Sequence, residues 1–557
     1  MCDQLVYQLS TRNDLMESVM TKKEVVYIQD QNGGAYNGII TFETSSISNS
    51  GKFADWTNSY FVIPYVVTMT AAADLSGTTS RLSAGMKAGW WHLIHSMSVD
   101  LNGINIIQQS PFLNLYAAYK CMTSWSYNDM VKNGDSVGFW KDSVDSFQYF
   151  AAQNASGSVI SNNTVIGIAA AGAIPAIPTT WAGSTVLAGY NEGYFKRLVA
   201  QNYYNGGTAQ FLQNAANVIS TGLSVCGQAT ANTTFYWRYN CVIRLRDITD
   251  FFDNKVPLHR GGVYRFTLNY NSGSVAVSYA GGPLFGSSGV VQSSGQSLPF
   301  MFSSGATSNP NSALAQALTS LGGAVVNPYT AAAGIPSPSI SACRLYVPLY
   351  TLNEAYEEQL LTLNPEKTIQ YKDLYQYTIS STSSNGNFNS LVSNGLTKPL
   401  TCVIVPLADY STINAGAASA NATGLTSLNT PFSSTPATTD PGLLVRNFNV
   451  QVSGINVFQQ NIDFTFVEFQ NELSKINAVN GNCTSGLTSG LIGQHEYERG
   501  YSYVVADLSR SYSADDFIPK SILISGTNVA SINAIYYVFV EYMRSITINL
   551  ASGNVRL

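Results

Sequence analysis

Residues 99–109 read VDLNGINIIQQ, and residues 450–460 read VQVSGINVFQQ. A segment that recurs once in each half constrains the fold more than any isolated motif. A duplicated unit must bury its core twice, and it presents two similar surfaces. Two more matches keep the same order. FVIPYV (61–66) matches VIVPLA (403–408), with Pro64 opposite Pro406. RFTLNYNSG (265–273) matches SITINLASG (545–553). After each Gly-Ile-Asn segment, apolar residues recur at helical spacing. They are Phe112, Leu115, Tyr116, Tyr119 and Met122 in the first half, and Ile462, Phe466, Phe469, Leu473 and Ile476 in the second. Gly-Ile-Asn turns recur in β proteins at large, and that alone explains one match. It does not explain collinear matches followed by equivalent helices. The order strand, hairpin, helix, insertion, closing strand predicts two copies of one unit.

The unit reads as all-β. KEVVYI (23–28) and YNGIITFE (36–43) flank a turn at Asn32-Gly33. YFVIPYVVTM (60–69) is apolar on both faces, as a strand inside a sandwich is. SMSVDLNGINII (96–107) reads as strand, turn at Asn102-Gly103, strand. Ser110 as N-cap and Pro111 at the first helical position open the helix that follows. Tyr264, Phe266, Leu268 and Tyr270 alternate with polar residues, the pattern of a half-buried strand. CRLYVPLYTL (343–352) starts the second run of strands, which continues to YYVFVEYMRSITINLASG (536–553). The expected division is an N-terminal arm (1–22), a first unit (23–275), a Gly/Ser/Ala-rich connector (276–340) and a second unit (341–557). Leu15, Val19 and Met20 suggest one helical turn in the arm, and Ser312–Leu321 a short helix in the connector. Residues 141–235 lose periodicity and predict a long loop insertion, of loops and short strands, in the first unit. About eight strands in two sheets fit a jelly roll, so the expected fold is two tandem eight-stranded jelly rolls with short helices.

Composition bounds the function. A chain of 557 residues exceeds one core, and 45% hydrophobic residues supply more than one. Charged residues make up only 11%, so polarity comes from Ser, Thr, Asn, Gln and Gly. Such a surface suits a protein largely covered by copies of itself. The net charge is −5 and no run of Lys or Arg occurs, which argues against binding nucleic acid by phosphate neutralisation. The seven cysteines (Cys2, Cys121, Cys226, Cys241, Cys343, Cys402, Cys483) are odd in number and scattered, as buried reduced thiols of an intracellularly made protein are. The N-terminus has no continuous apolar core, so no signal peptide is expected. The most apolar stretch, Val165–Pro178, is too short to span a bilayer.

No catalytic, cofactor-binding or metal-binding residue is assigned, and the chain is not expected to be an enzyme. His92 and His95 are three apart, but no acidic or Cys partner follows, so they read as structural. HEYER (495–499) has Arg499 where a zinc-protease motif needs a second His. Glu357-Glu358 and Asp515-Asp516 read as exposed loop charges, not an acid–base dyad. Ser509 in ADLSRSYSADD has no implied His partner. A carbohydrate-active enzyme on a duplicated sandwich would need two converging carboxylates, and none pair convincingly.

Five stretches carry a family resemblance: IRLRDITDFFDNKVPLHRGGVYRFTLNYN (243–271), NPEKTIQYKDLYQY (364–377), NFNVQVSGINVFQQNIDFTFVEFQNEL (447–473), YSYVVADLSR (501–510) and SILISGTNVASINAIYYVFVEYMRSITINLASGN (521–554). Through them the chain resembles the double jelly-roll major capsid proteins of the tectivirus–adenovirus lineage, most like those of polinton-like viruses and virophages. Residues 141–235 match no pattern in that family. The resemblance implies a homotrimeric, pseudo-hexameric capsomer that packs with neighbouring capsomers in an icosahedral virion shell around double-stranded DNA. It implies a separate single jelly-roll penton protein at the vertices, and minor capsid proteins. It implies that 141–235 form outer towers and that the N-terminal arm lies inside. Some relatives enclose a membrane, which this sequence does not indicate. Synthesis in the host cytoplasm or nucleus follows, not passage through the secretory pathway. Asp247, Arg260, Asp507 and Arg510 are then expected in ion pairs within or between trimers. The competing reading is a secreted β-sandwich adhesin or surface-layer protein, which the low charge and the Ser/Thr/Asn content also fit.

Overall fold

The computed structural model describes residues 19–71, 81–142, 234–278 and 297–305 of the first half, and 342–409, 443–479, 488–510 and 517–556 of the second. Short internal stretches within these are excepted. It also describes residues 193, 196–197, 201–205, 208–211, 286–292, 321–328 and 428.

Eight strands build the first roll. They are β1 (Met20–Gln29), β2 (Ile39–Glu43), β3 (Tyr60–Ala71), β4 (Ile94–Leu101), β5 (Ile104–Ile107), β6 (Thr234–Arg244), β7 (Tyr264–Tyr270) and β8 (Arg344–Leu352). They pair antiparallel in two sheets, β1-β8-β3-β6 and β2-β7-β4-β5. The second roll has β9 (Glu366–Thr382), β10 (Asn387–Leu396), β11 (Pro399–Ala408), β12 (Val445–Val452), β13 (Ile455–Asn456), β14 (Val504–Asp507), β15 (Lys520–Asn528) and β16 (Ala534–Asn549). Its sheets run β9-β16-β11-β14 and β10-β15-β12-β13. Adding eight to each strand number of the first order reproduces the second. The chain is therefore a double jelly roll, all-β with short helices.

Alternation along each strand fills the space between sheets. Phe61 of β3 meets Phe42 at 5.1 Å and Phe266 at 5.6 Å, both from the facing sheet. Tyr536 of β16 meets Phe388 of β10 at 4.6 Å. Phe42, Phe61 and Phe266 are fully buried, each stabilising by roughly 1.5–3 kcal/mol.

The repeated Gly-Ile-Asn segments take one geometry. Asn102 and Gly103 have φ of 49° and 81°, and Ser453 and Gly454 have φ of 51° and 81°. Two successive left-handed residues between antiparallel strands make the type I′ turn that the strand twist favours. A Cβ on either glycine would meet nothing within 4 Å, so backbone conformation, not space, asks for glycine. Each hairpin is followed by a helix, α1 (Leu113–Ser124) and, after the α2 (Tyr127–Val137) and α3 (Glu354–Leu363) helices, α4 (Phe466–Val479). A last short helix is α5 (Gln494–Arg499).

The structure corrects several expectations. Arg344–Leu352 does not open the second roll. It is β8, paired with β1 and β3, and it closes the first. The Gly/Ser/Ala-rich region 276–340 therefore lies within the β7–β8 connection of the first roll, not between rolls. The rolls part at α3. RFTLNYNSG and SITINLASG are not equivalent either, because β7 pairs with β2 and β4 while β16 pairs with β9 and β11. The proline match is out of register by one residue. Phe61 faces inward, so Pro64 lies on the outer side, whereas Pro406 is paired with the inward Tyr536. A one-residue slip exchanges faces. Pro64 sits where the ladder with β8 ends at Val62 and that with residues 321–328 begins at Tyr65, so its missing N–H falls at a break on that side.

Helix α1 begins at Leu113, with Phe112 before it at φ 56°, so Ser110 and Pro111 are neither cap nor first turn. A left-handed bulky residue is costly, and here the ring of Phe112 is held between His95 and Tyr537 at 4.9 and 4.7 Å. Met20 opens β1, not a helical turn. Glu357-Glu358 lie on α3, not in a loop. Of residues 141–235, strands 201–205 and 208–211 form a hairpin paired to β6. Strands 273–278, 286–292 and 321–328 similarly extend β3. Most of the insertion, residues 312–320 and Leu15 lie outside the described residues.

Candidate functional site: the seam between the rolls

Strand β16 turns Tyr536 inward, so Tyr537, Phe539 and Glu541 point out of the second roll. Phe112, just before α1, and Tyr116 and Tyr119 on it are turned to the same side. The two stripes meet. Phe112 lies 4.7 Å from Tyr537, Tyr116 lies 5.8 Å from Phe539, and Tyr119 lies 5.4 Å from Tyr503 beside β14. Phe251 reaches Tyr371 of β9 at 4.9 Å.

Polar groups close the seam in two clusters. In the first, the Tyr116 hydroxyl donates to Glu541 Oε1 at 2.5 Å, and Lys372 Nζ lies 3.1 Å from Glu541 Oε2. Burial pushes the Glu541 carboxyl up, but Lys372 and the Tyr116 hydroxyl outweigh it and hold its pKa below the usual carboxylate value. Burial, with the facing Glu541 carboxylate, pushes the Tyr116 phenol far up, so it stays a donor. Beside this cluster the Asp250 carboxylate accepts from the Lys372 backbone N–H at 2.8 Å.

In the second cluster, Arg544 Nη1 pairs with Asp373 Oδ2 at 2.8 Å, and the Tyr542 hydroxyl donates to the same oxygen at 3.1 Å. The first hairpin is threaded into this cluster. Tyr371 Oη donates to the Ile106 carbonyl at 2.5 Å, Arg544 donates to the carbonyls of Ile106 and Asn105 at 3.1 and 3.0 Å, and the Gln108 N–H donates to Asp373 at 3.4 Å. Burial pushes the Asp373 carboxyl up even against Arg544. Between the clusters is a cavity of about 10 Å³, lined by Met97, Gln108, Tyr116, Asp250, Lys372 and Asp373. It has room for one water at most.

The seam continues at its ends. Leu491 N–H donates to the Met122 carbonyl at 2.8 Å, and Lys141 donates to the Leu491 carbonyl at 2.8 Å while pairing with Glu496. Asn102 Nδ2 donates to the Gly553 carbonyl at 2.9 Å, and the Arg260 N–H to the Leu550 carbonyl at 3.0 Å.

The charges singled out in the sequence are paired inside the chain. Asp247 pairs with Arg244 at 2.6 Å, Arg260 with Glu357 at 2.5 Å, and Arg510 with Asp507 at 4.0 Å. Ser509 Oγ donates to Asp507 at 2.6 Å. Asp515 and Asp516 lie outside the described residues. His92 and His95 are buried, and burial first of all pulls their pKa values down to about 3 and about 4. Among the described residues, no group of three or more His, Cys, Asp and Glu is placed to hold a metal ion. No described helix is long and apolar enough to cross a membrane. Cys121, Cys241, Cys343 and Cys402 are buried free thiols.

Sequence reasoning missed Lys372, Asp373, Glu541 and Arg544. A signal for them exists: in a charge-poor chain, YKDLY and FVEYMR place charges inside apolar strands, where an ion must find a partner.

No protein-family model matches the chain, and no curated protein matches it in sequence. Solved structures do. A structure from the Sputnik virophage, determined by cryo-EM, shares 12% identity at a TM-score of 0.47, covering 98% of this chain and 90% of that one. The major capsid protein of mavirus shares 10% at 0.42, covering 96% and 89%. The Faustovirus major capsid protein shares 9% at 0.42, covering 95% and 92%.

Proposed function

We propose that the chain is a major capsid protein whose work is self-association. Three copies close into a capsomer with a nearly sixfold outline, and capsomers tile an icosahedral shell around a double-stranded DNA genome. The observation that carries this reading is the pair of rolls with one strand order, fixed side by side by a buried seam. A ring of three such chains has six similar walls, the outline needed to tile a surface. The chain's low charge supports the reading, since most of each surface is then meant to be covered. A single jelly-roll penton protein and minor capsid proteins complete the shell, and the virion is where the protein resides.

Light scattering coupled to size exclusion, followed by electron microscopy of the same fraction, tests this. Trimers of hexagonal outline are expected. A monomer at every concentration, with no assembly into shells in the presence of its own virion proteins, overturns it.

A further inference from the structure

The two rolls treat one equivalent edge differently. In the first roll, β2 is the outer strand of the β2-β7-β4-β5 sheet, and its free side is sealed by its own chain. Gln31 N–H donates to the Thr41 carbonyl at 2.9 Å, Thr41 N–H to Asn32 Oδ1 at 3.0 Å, and Asn32 Nδ2 to the Ile39 carbonyl at 2.8 Å. The equivalent strand of the second roll is β10, paired only with β15. The Gly386 carbonyl accepts from Asn528 N–H at 2.9 Å, which fixes the phase of that ladder. Phe388 and Ser390 then bond to β15, while Asn387, Asn389 and Leu391 turn their N–H and C=O groups to the free side. Among the described residues no hydrogen bond reaches that side. All three residues are exposed, Leu391 at 51%. An open edge is ordinarily blunted by charge, proline or a bulge. The edge strands β1 and β9 carry Lys22, Glu24, Glu366 and Lys367. Between Asp373 and Lys398 there is neither a charged residue nor a proline. Bulges follow Leu391 and Ser393, so they bend only the C-terminal half of β10. Arg446, opposite Thr527 on the far side of β15, pairs with Asp463 at 3.7 Å.

We infer that residues 387–391 of β10 pair antiparallel with the same residues of a second copy, across a twofold axis near Asn389, and so join two capsomers through one continuous sheet. The open groups are backbone donors and acceptors at strand spacing, so an extended strand is what fits them. Antiparallel pairing of a strand with itself is isologous. Asn387 of one copy faces Leu391 of the other, and Asn389 faces Asn389. A strand of the same sequence is admitted because this edge has no charge to repel its own copy. The hairpin β12-β13 lies at the opposite edge of the same sheet, so the contact leaves that side of the roll free. The inference goes beyond the capsomer reading and rests on it only for what is joined.

The test uses the full-length protein. Sedimentation velocity of wild type at rising concentration should show trimers associating in pairs. Asn389→Pro removes one outward N–H without touching a bond to β15, a position where an edge strand tolerates proline. The twofold counts the loss twice, so association of trimers should weaken by at least about tenfold while the trimer persists. Asn389→Lys sets like charges opposite each other and is expected to do the same, so it serves where proline disturbs folding. Circular dichroism and thermal unfolding matching wild type show that a variant is folded. Hydrogen exchange gives a second readout. The amides of Asn387, Asn389 and Leu391 should be unprotected in isolated trimers and protected in paired ones. Trimers that never associate overturn the contact, as do folded variants that associate like wild type. Protection already present in isolated trimers also overturns it, because the edge is then covered within the capsomer. Protection that appears only on adding another virion protein makes that protein the occupant and overturns it too. A wild type that dimerises through these amides but never trimerises keeps this contact and removes the capsomer reading.

Discussion

The Tyr116 hydroxyl donates to Glu541 Oε1 at 2.5 Å, joining residues from two different jelly rolls inside the molecule. Both side chains are buried, so the carboxylate cannot exchange this partner for water. Tyr116→Phe removes the donor and keeps the ring against Phe539. It should cost about 1–3 kcal/mol, the penalty of leaving a buried acceptor short of a partner. Guanidinium unfolding measures it. A double-mutant cycle with Glu541→Gln should show coupling, and additive effects would count against the bond.

The two hairpins should respond alike to loss of their glycines. Gly103→Ala and Gly454→Ala each force an L-residue to φ 81°, at about 1–2 kcal/mol. Gly103→Ala should cost the larger amount, because its hairpin backbone also accepts bonds from Tyr371 and Arg544 while the second hairpin is exposed. Equal unfolding midpoints for the two variants would show that the first hairpin gains nothing from the seam.

Acid should destabilise the fold through its buried histidines. His92 and His95 are held near 3 and near 4, below the ordinary value of about 6.5. Between those limits the unfolded chain binds protons that the folded chain refuses. Stability is therefore complete above about pH 6.5 and falls as pH drops, by up to about 1.4 kcal/mol per unit for each histidine, until the folded values are reached. Unfolding measured at several pH values between 7 and 4 should give this slope, and His95→Phe should remove one histidine's share. An unchanged slope in that variant would refute the assignment.

How much of this was legible in the residues differs from element to element. The Gly-Ile-Asn repeat led correctly to the duplicated hairpin and to the helix after it, because a type I′ turn demands left-handed residues at fixed positions. Strand β8 was not legible as part of the first roll. Its equivalent β16 follows β15 after five residues, 529–533, whereas β8 follows β7 only after residues 271–343, and no local pattern records pairing across such a gap. The Pro64–Pro406 match had the right strands and the wrong face, since a period of two tolerates no slip. The seam charges were legible only in part: YKDLY and FVEYMR mark Asp373 and Arg544 as ions that need partners, but only the fold shows that Asn105 and Ile106 of the other roll supply some of them.

The second seam cluster gives the sharpest prediction. Asp373 is buried, and its carboxylate is held by Arg544, Tyr542 and the Gln108 N–H. Arg544→Ala leaves the carboxylate without its cation and leaves the Ile106 and Asn105 carbonyls short of a donor. Breaking a buried pair from one side costs about 3–5 kcal/mol. Asp373→Asn alone strands the guanidinium less severely, because Arg544 also bonds the two carbonyls and is partly exposed. Combining the two substitutions should recover part of the Arg544→Ala loss, since no unpaired carboxylate remains. Acid adds a second signature. Burial raises the Asp373 pKa, so in Arg544→Ala the acid should take up its proton at higher pH, and the variant's deficit should shrink as pH falls towards 4. Thermal unfolding of the single and double variants at pH 7 and pH 4.5 tests both points. A deficit that is the same at the two pH values, with no recovery in the double variant, would mean that Arg544 holds the seam through its carbonyl bonds alone.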